Sequence, residues 1–230
     1  MRRDHRRHAD PVQRRRGPGH HRADRRGLHR RRPGPRRGVT RQSLSSGTGE
    51  ARAAGIHPRD LYRWRDSDEL VELSRGLFRR ADSPTPIYPD LLTVGRRAPH
   101  AVVCLTSALV VHELTDEVPY ALHIAVPRSA RPPRIDYPPT QVHRFEVATF
   151  EFGIQQVEAA DDEYVRVYNA PRTIVDMFRM RNQMGETAAL LALRRYVTTS
   201  HARVADLLDY ALPLGVSGPL RAALDVLMAD

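Results

Sequence analysis

The residue types best suited to a specific chemistry lie between positions 57 and 80, in HPRDLYRWRDSDELVELSRGLFRR. Arginine recurs through this stretch, and a guanidinium group can bond a guanine edge or a phosphate through two parallel hydrogen bonds. On a helix, Leu61 and Trp64 share one face, so the polar residues around them project outward. We therefore predict DNA contacts from a set of polar side chains in this stretch. They are His57, Arg59, Tyr62, Arg63, Arg65, Arg75 and Arg79.

A helix, a turn, a second helix and a hairpin must position these side chains. Gly55 suits the left-handed turn that ends a first helix, and Pro58 suits the first turn of a second helix. The tight connection Ser74-Arg75-Gly76 between ELVEL and LFRR predicts a two-stranded hairpin. This order is typical of the back half of a winged helix-turn-helix, whose second helix enters the major groove. The alternative is an ordinary helix and hairpin with a solvated arginine face.

The other polar constellations do not predict catalysis or metal binding. His112 and Glu113 on one predicted helix, with His123 on the next strand, lack the spacing of zinc ligands. The acidic run 161–163 is typical of a solvated turn between two strands. Cys104 lies among apolar residues, which favours a buried, unreactive thiol. We therefore expect no catalytic residue, no metal site and no cofactor.

The composition excludes several classes of enzyme. All 37 basic residues are arginine, so the chain has no Schiff-base lysine, no Walker A lysine and no kinase strand lysine. It also lacks the lysine of a restriction-type nuclease site. A single cysteine excludes an internal disulfide and favours the reducing cytoplasm. No apolar run approaches the roughly 18 residues that span a bilayer, so we expect no membrane association.

The positive charge is concentrated at the start of the chain. Residues 1–41 carry a formal net charge of +13, whereas residues 42–230 carry −3. Residues 1–47 contain few large apolar side chains and are predicted to form a disordered tail rich in Arg, Pro and Gly. Two interpretations stay open: a basic arm that binds phosphates without sequence preference, or coding from an incorrect gene start.

The remaining chain is predicted to have α+β structure in two units. Pro84 and Pro86 indicate a linker, which divides the chain into residues 48–81 and 82–230. In the second unit, Thr106 or Ser107 is predicted to cap a helix through SALVVHEL. Four strands are predicted in YALHIAVP, QVHRFEV, IQQVE and YVRVYN, followed by a helix in APRTIVDMFRMR. Three further helices are expected at about 186–198, 203–212 and 219–228. Strands followed by helices favour an α+β domain over a wound parallel sheet.

The run AGIHPRDLYRWRDSDELVELSRGLFR resembles the N-terminal DNA-binding region of AbiEi-type antitoxins of type IV toxin–antitoxin systems. The blocks LTSALVVHEL, LHIAVPR and NAPRTIVDMFRMR are similar to the body of the same family. The resemblance implies a non-enzymatic repressor that binds double-stranded operator DNA of its own operon. It also implies a domain that counters a toxin of the nucleotidyltransferase type.

Residue by residue, the resemblance places the helix-turn-helix role on 57–65 and the wing role on 70–80. A homo-oligomer on DNA would require half-sites about one or two helical turns apart. Members of the family usually carry an apolar helix before this motif, where this chain has RQSLSSGTG and the Arg-rich tail. Either the winged helix is truncated at this first helix, or an upstream frame encodes it. The alternative function is a protein-binding antitoxin domain without competent DNA binding. Asp68 also stands where the family often has glycine.

Overall fold

A computed structural model of the chain describes residues 45–229, which form two β-sheets with helices packed against them. The elements follow in this order: β1 Ser45–Gly47, α1 Thr48–Ala53, α2 Pro58–Asp66, β2 Leu70–Ser74, β3 Leu77–Arg80, α3 Pro89–Arg97, β4 Val102–Val103, α4 Leu105–Val111, β5 Leu122–Pro127, β6 Thr140–Phe145, α5 Val147–Phe150, β7 Ile154–Ala160, β8 Glu163–Tyr168, α6 Ala170–Arg179, α7 Arg181–Met184, α8 Glu186–Val197, α9 Val204–Ala211 and α10 Ser217–Met228. The predicted α+β class is confirmed. None of these helices combines the length and apolar character that a bilayer span requires.

The smaller sheet has the antiparallel order β1-β3-β2, so β3 is its central strand. Ser45 lies opposite Arg79 in this register. Strand β1 corrects the expectation of disorder through residue 47, because residues 45–47 pair with β3. The rest of the expected tail, 1–44, lies outside the described residues, as does any helix that precedes β1.

Helices α1 and α2 pack on this sheet through a small apolar cluster. Its members are buried or half-buried residues of the helices and the hairpin: Ala51, Ile56, Leu61, Trp64, Leu70 and Phe78. The predicted inward faces of Leu61 and Trp64 are thus confirmed. Gly55 has φ +78°, as the turn between the helices requires, and Asp68 adopts φ +57° after α2. A non-glycine residue is strained in that left-handed region.

The larger sheet is mixed, with the order β6-β5-β4-β8-β7. Strand β4 pairs antiparallel with β5 and parallel with β8, while β5–β6 is parallel and β7–β8 antiparallel. The four predicted strands are confirmed. Strand β4 has two residues, too short for an alternating pattern to reveal it. Helix α3 covers one face of the sheet, and the helices from α5 onward pack against the other face. Helix α4 contributes to the clusters on both faces, through Ala108 and Leu109.

The helices of the larger unit mostly agree with the prediction, with corrections at α4 and α6. Helix α4 begins at Leu105, and Cys104 is its N-cap, so Thr106 and Ser107 lie inside the helix and cap nothing. Ser107 instead accepts a hydrogen bond from the backbone N–H of His123, at 2.9 Å. The predicted burial of residues 174, 175, 177 and 178 of α6 is confirmed, but residues 171–173 and 176 are buried too, so the helix is buried on all sides and not along one stripe.

A buried arginine anchors α6 against the end of the large sheet. The Arg172 side chain is fully buried, and its Nε donates to the carboxylate of Asp176 at 2.9 Å. Its Nη1 donates to the carbonyl oxygens of Thr149 and Phe152, at 2.6 and 2.9 Å. The guanidinium also lies over the ring of Tyr168, 4.5 Å from the centroid. These contacts fix α6 to both α5 and β8.

Close packing of α3 on β8 can be tested at Gly95. A Cβ added there would lie 2.7 Å from Cγ1 of Val165. We expect Gly95→Ala to lower the free energy of unfolding by about 1–3 kcal/mol, because α3 must move away from the sheet. The control is Gly49→Ala in α1, where an added Cβ meets nothing within 4 Å. It is expected to be neutral or stabilising by up to about 1 kcal/mol. Urea unfolding measures both, and equal stabilities would contradict the close contact.

Candidate nucleic-acid interface

Helix α2 carries most of the predicted DNA contacts, and its start is fixed by local chemistry. His57 is the N-cap, and its Nδ1 accepts a hydrogen bond from the backbone N–H of Arg59 at 3.1 Å. Pro58 occupies the first helical turn, where the missing amide hydrogen costs nothing. Leu61 faces the apolar cluster at 3% exposure, which turns the opposite side of the helix to solvent.

The outward side of α2 presents Arg59, Tyr62 and Arg63. Arg59 is exposed. Arg63 is also exposed, and its guanidinium lies 2.7 Å from the carboxylate of Asp60. Tyr62 is 37% exposed and packs edge-on against Phe78, with ring centroids 5.4 Å apart. The helix therefore offers two arginines and a partly seated aromatic ring to an incoming ligand.

Arg65 instead connects α2 to the hairpin. Its Nη1 donates to Glu72 at 2.8 Å, and its Nε and Nη2 donate to Asp66 at 3.0 and 2.8 Å. These bonds to Glu72 and Asp66 raise the pKa of Arg65. The second oxygen of Glu72 accepts from the backbone N–H of Gly76 at 2.8 Å. Although burial raises the pKa of Glu72, the bonds from Gly76 and Arg65 outweigh it and hold that pKa below its ordinary value.

Arg75 lies at the tip of the hairpin, as predicted. Its side chain is exposed, and the next residue, Gly76, makes the tight turn with φ +72°. The carbonyl oxygen of Arg75 accepts a hydrogen bond from Nη2 of Arg97, at the end of α3. The tip is therefore held by the larger unit while the Arg75 guanidinium faces solvent.

The expected outward placement of Arg79 is corrected by the structure. The side chain is 3% exposed, and its Nη1 donates to Glu163 at 2.5 Å and to Ser45 Oγ at 3.1 Å. Its Nη2 donates to the carbonyl oxygen of Pro84 at 3.1 Å. The reason is that β3 is the central strand, with one face on the apolar cluster and the other against the larger unit. Arg79 therefore has no access to DNA in this arrangement.

Glu163 binds two arginines and joins the small sheet to the larger one. The side chain is 3% exposed. One oxygen accepts from Arg79 and from Ser45 Oγ, the latter at 3.0 Å. The other accepts from Nη2 of Arg96 on α3, and from its Nε at 3.1 Å. The acidic run 161–163 is thus only in part the solvated turn that the sequence predicted, because Asp161 and Asp162 are exposed while Glu163 is buried.

Comparison with known protein families bears on the segment that contains this surface. Residues 47–81 match the family described as "Transcriptional regulator, AbiEi antitoxin". The predicted resemblance to AbiEi antitoxins is confirmed for this segment, which includes α1, α2 and the hairpin. The AbiEi match ends before α3, so the larger unit lies outside it. No curated protein matches the chain.

Sequence reasoning missed the carboxylates that hold the arginines of the AbiEi-like segment. Glu163 lies 84 positions from Arg79, and no local pattern predicts such a pairing. One signal was available in the sequence. On an extended strand, Glu163 lies on the same face as Val165 and Val167, which are both buried. The predicted strand YVRVYN begins at Tyr164. Starting it one residue earlier would have placed the Glu163 carboxylate on that buried face.

Within residues 45–229, no three His, Cys, Asp or Glu side chains are grouped so that they could hold a metal ion. His112 bonds the carbonyl oxygen of Tyr168 through Nε2, at 2.7 Å. His123 stacks on His143, with Nδ1 and Nε2 3.0 Å apart. Burial raises the pKa of the Cys104 thiol well above its ordinary value, which keeps the thiol protonated.

The link through Glu163 can be tested by removing its charge. We expect Glu163→Gln to lower the free energy of unfolding by about 3–5 kcal/mol, because it leaves two buried or half-buried guanidinium groups without their carboxylate. Amide hydrogen exchange in β3 should accelerate as well. The control is Asp162→Asn, an exposed neighbour whose effect should stay within about 0.5 kcal/mol. Similar unfolding curves for the two variants would contradict the assigned role.

The stacked histidines predict a pH dependence of stability. Burial, His123 and Arg179 lower the pKa of His143 from 6.5 to about 4. Between these values the unfolded chain binds a proton at His143 and the folded chain does not. Stability present above pH 6.5 is therefore lost as the pH falls towards 4.

His143→Gln should make this loss shallower by up to about 1.4 kcal/mol per pH unit. His201→Gln, at an exposed position, should leave it unchanged. Urea unfolding midpoints measured at several pH values between 7 and 4.5 give the change of stability with pH for each variant. These slopes can be compared even if the variants differ in absolute stability. If His143→Gln loses stability as steeply as the wild type when the pH falls, His143 is not the group responsible for the pH dependence.

Proposed function

We propose that this protein is a cytoplasmic antitoxin and transcriptional repressor that binds the double-stranded operator of its own operon. One observation carries the proposal. The segment that matches the AbiEi antitoxin regulators is also a helix, turn, helix and hairpin whose exposed side chains include Arg59, Arg63 and Arg75. We interpret this unit as a winged helix-turn-helix, with α2 as the recognition helix and the β2–β3 hairpin as the wing.

The shape and spacing of α2 suit the major groove. An α-helix of about 10–12 Å diameter fits a groove about 12 Å wide. Arg59 and Arg63 are four residues apart and share one side of the helix, so both can reach base edges at once. The pairing of Arg63 with Asp60 is exposed and contributes about 1 kcal/mol at most. A bidentate bond to guanine can therefore replace it.

The contacts described above divide the seven predicted DNA-binding residues into two groups. Arg65 and Arg79 are held by carboxylates and position the unit, so we assign them no base contact. The proposed reading surface consists of the residues that remain. They are His57, Arg59, Tyr62, Arg63 and Arg75. Two copies on adjacent half-sites, one or two helical turns apart, would form the homo-oligomer on DNA.

The larger unit would engage the toxin, for which we propose the nucleotidyltransferase type that the family resemblance implies. An apolar surface supports a protein-binding role: Val118 and Tyr120 are 92% and 88% exposed in the segment after α4. Leu191 of α8 is also exposed, beside a groove of about 500 Å³ between that segment and α8. Large apolar side chains this exposed are candidates for contact with a protein partner. The same surface favours the second candidate function, a protein-binding antitoxin without DNA binding.

Base reading by α2 can be tested with Arg59→Ala and Arg63→Ala in the full chain. The probes are a duplex from directly upstream of the gene and an unrelated duplex of equal length. Each variant should bind the upstream duplex about tenfold to a hundredfold more weakly, with little change on the unrelated duplex. Fluorescence anisotropy measures both affinities. Arg52→Ala on α1 is the control and should retain the wild-type preference.

If wild-type protein binds the two duplexes equally, the repressor proposal fails and the protein-binding alternative is favoured. If Arg52→Ala loses as much preference as the α2 variants, α2 is not the reading helix.

A further inference from the structure

A groove beside the hairpin tip brings together three arginines from separate parts of the chain. Arg75 comes from the hairpin, Arg97 from the end of α3 and Arg134 from the segment between β5 and β6. Tyr62 of α2 lines the same groove, whose volume is about 300 Å³. We call this feature the arginine groove. The proposed function makes no use of Arg97 or Arg134.

Contacts with the hairpin hold one wall of the arginine groove in place. Nη2 of Arg97 donates to the carbonyl oxygen of Arg75 and lies 3.4 Å from Ser74 Oγ. The hairpin tip and the end of α3 are therefore bonded to each other beside the groove. A ligand that enters here meets one guanidinium group, that of Arg97, whose position is already restrained, which reduces the entropy that binding must offset.

The described residues that line the arginine groove leave it with a net positive charge. Within residues 45–229, no carboxylate lies within salt-bridge distance of Arg75, Arg97 or Arg134. Asp136 also lines the groove, so its formal charge is +2. An anion is the ligand that such a surface selects.

The geometry suits phosphate in particular. Guanidinium forks bind phosphate oxygens through paired hydrogen bonds, which makes arginine common at phosphate sites. The volume equals that of roughly ten water molecules, enough for a phosphate group with ordered water around it. The groove also includes Tyr62 and Arg75, two residues of the proposed reading surface. A duplex that lies on α2 and the hairpin would thus carry its backbone past the groove.

We propose that the arginine groove binds a backbone phosphate of the DNA that α2 reads, with Arg134 contributing from the larger unit. This inference rests on the proposed function and adds a contact outside the AbiEi-matched segment. Phosphate contacts fix the position of the protein on the duplex and carry no base information. The groove should therefore increase affinity for every duplex to the same extent.

The test compares Arg134→Gln with Arg131→Gln in the full chain. Both arginines are exposed on the same segment, but Arg131 does not line the groove. Arg134→Gln should weaken binding to the upstream and unrelated duplexes alike, by roughly tenfold. The slope of log affinity against log salt concentration should decrease in magnitude by about 0.9. Arg131→Gln should behave as wild type in both respects.

A second variant tests whether DNA affinity increases when a negative charge is removed from the groove. Asp136→Asn removes the negative charge from the groove and should strengthen binding to both duplexes by about twofold to fivefold. An unchanged or weakened affinity for Asp136→Asn would count against the groove. This gain of affinity cannot result from misfolding, so the test remains valid if Arg134→Gln lowers stability.

The possible outcomes separate the groove from the reading helix. Selective wild-type binding with an unchanged salt slope in Arg134→Gln would overturn this inference and leave the repressor proposal intact. Equal weakening on both duplexes, with no wild-type preference between them, would support the groove and overturn the repressor proposal. Calorimetry with inorganic pyrophosphate adds a third arm. Binding of pyrophosphate that Arg134→Gln abolishes, together with unchanged DNA binding, would assign the groove to a free phosphate compound instead and overturn the DNA assignment.

Discussion

The structure depends on one buried carboxylate, Glu163, that lies between two arginines. Removing these charges from water is costly, and only close, well-oriented pairing offsets the cost. Arg79 reaches Glu163 from the hairpin unit and Arg96 reaches it from α3, so the pairing forms only when both elements are docked on β8. The small sheet therefore cannot rotate freely on the larger one. The direction in which α2 faces is set by a contact far from α2 itself.

All the basic residues of the chain are arginine, and burial distinguishes the structural arginines from the exposed ones. A guanidinium group is more weakly hydrated than an ammonium group and can bond in several directions at once, which suits it to burial as well as to recognition. Arg79 and Arg172 are buried and meet both carboxylates and backbone carbonyl groups. Arg59 and Arg75 are exposed, and no described carboxylate binds them. An arginine pattern in the sequence therefore does not distinguish a DNA contact from a structural ion pair.

Local patterns predicted much of this fold, and long-range pairing explains what they did not predict. Gly55 and Pro58 were sufficient to place α1 and α2, because a left-handed turn and a first helical turn are local requirements. Helical periodicity likewise predicted the buried apolar residues of α6, but not the burial of its Arg172 and Asp176. Strands β1 and β4, of three and two residues, exist because a neighbour supplies their hydrogen bonds. The burial of Arg79 depends likewise on Glu163, 84 positions away. In the candidate interface, the helix and the hairpin could be predicted from the sequence. Which of their arginines are exposed and which are bound by carboxylates could not.

The small number of outward arginines on α2 limits how the proposed regulator would select DNA. Arg59 and Arg63 can read about two guanines, and each bidentate contact contributes roughly 1–3 kcal/mol of discrimination. A genome offers about a million or more competing sites, which one short helix reading two base pairs cannot exclude. Selectivity on that scale needs the reading surface to be used more than once, on repeated half-sites. Phosphate contacts cannot replace this repetition, because they increase specific and non-specific binding together. If α2 reads DNA as proposed, specificity must therefore come from assembly on the operator, with the rigid joint at Glu163 keeping each copy in register.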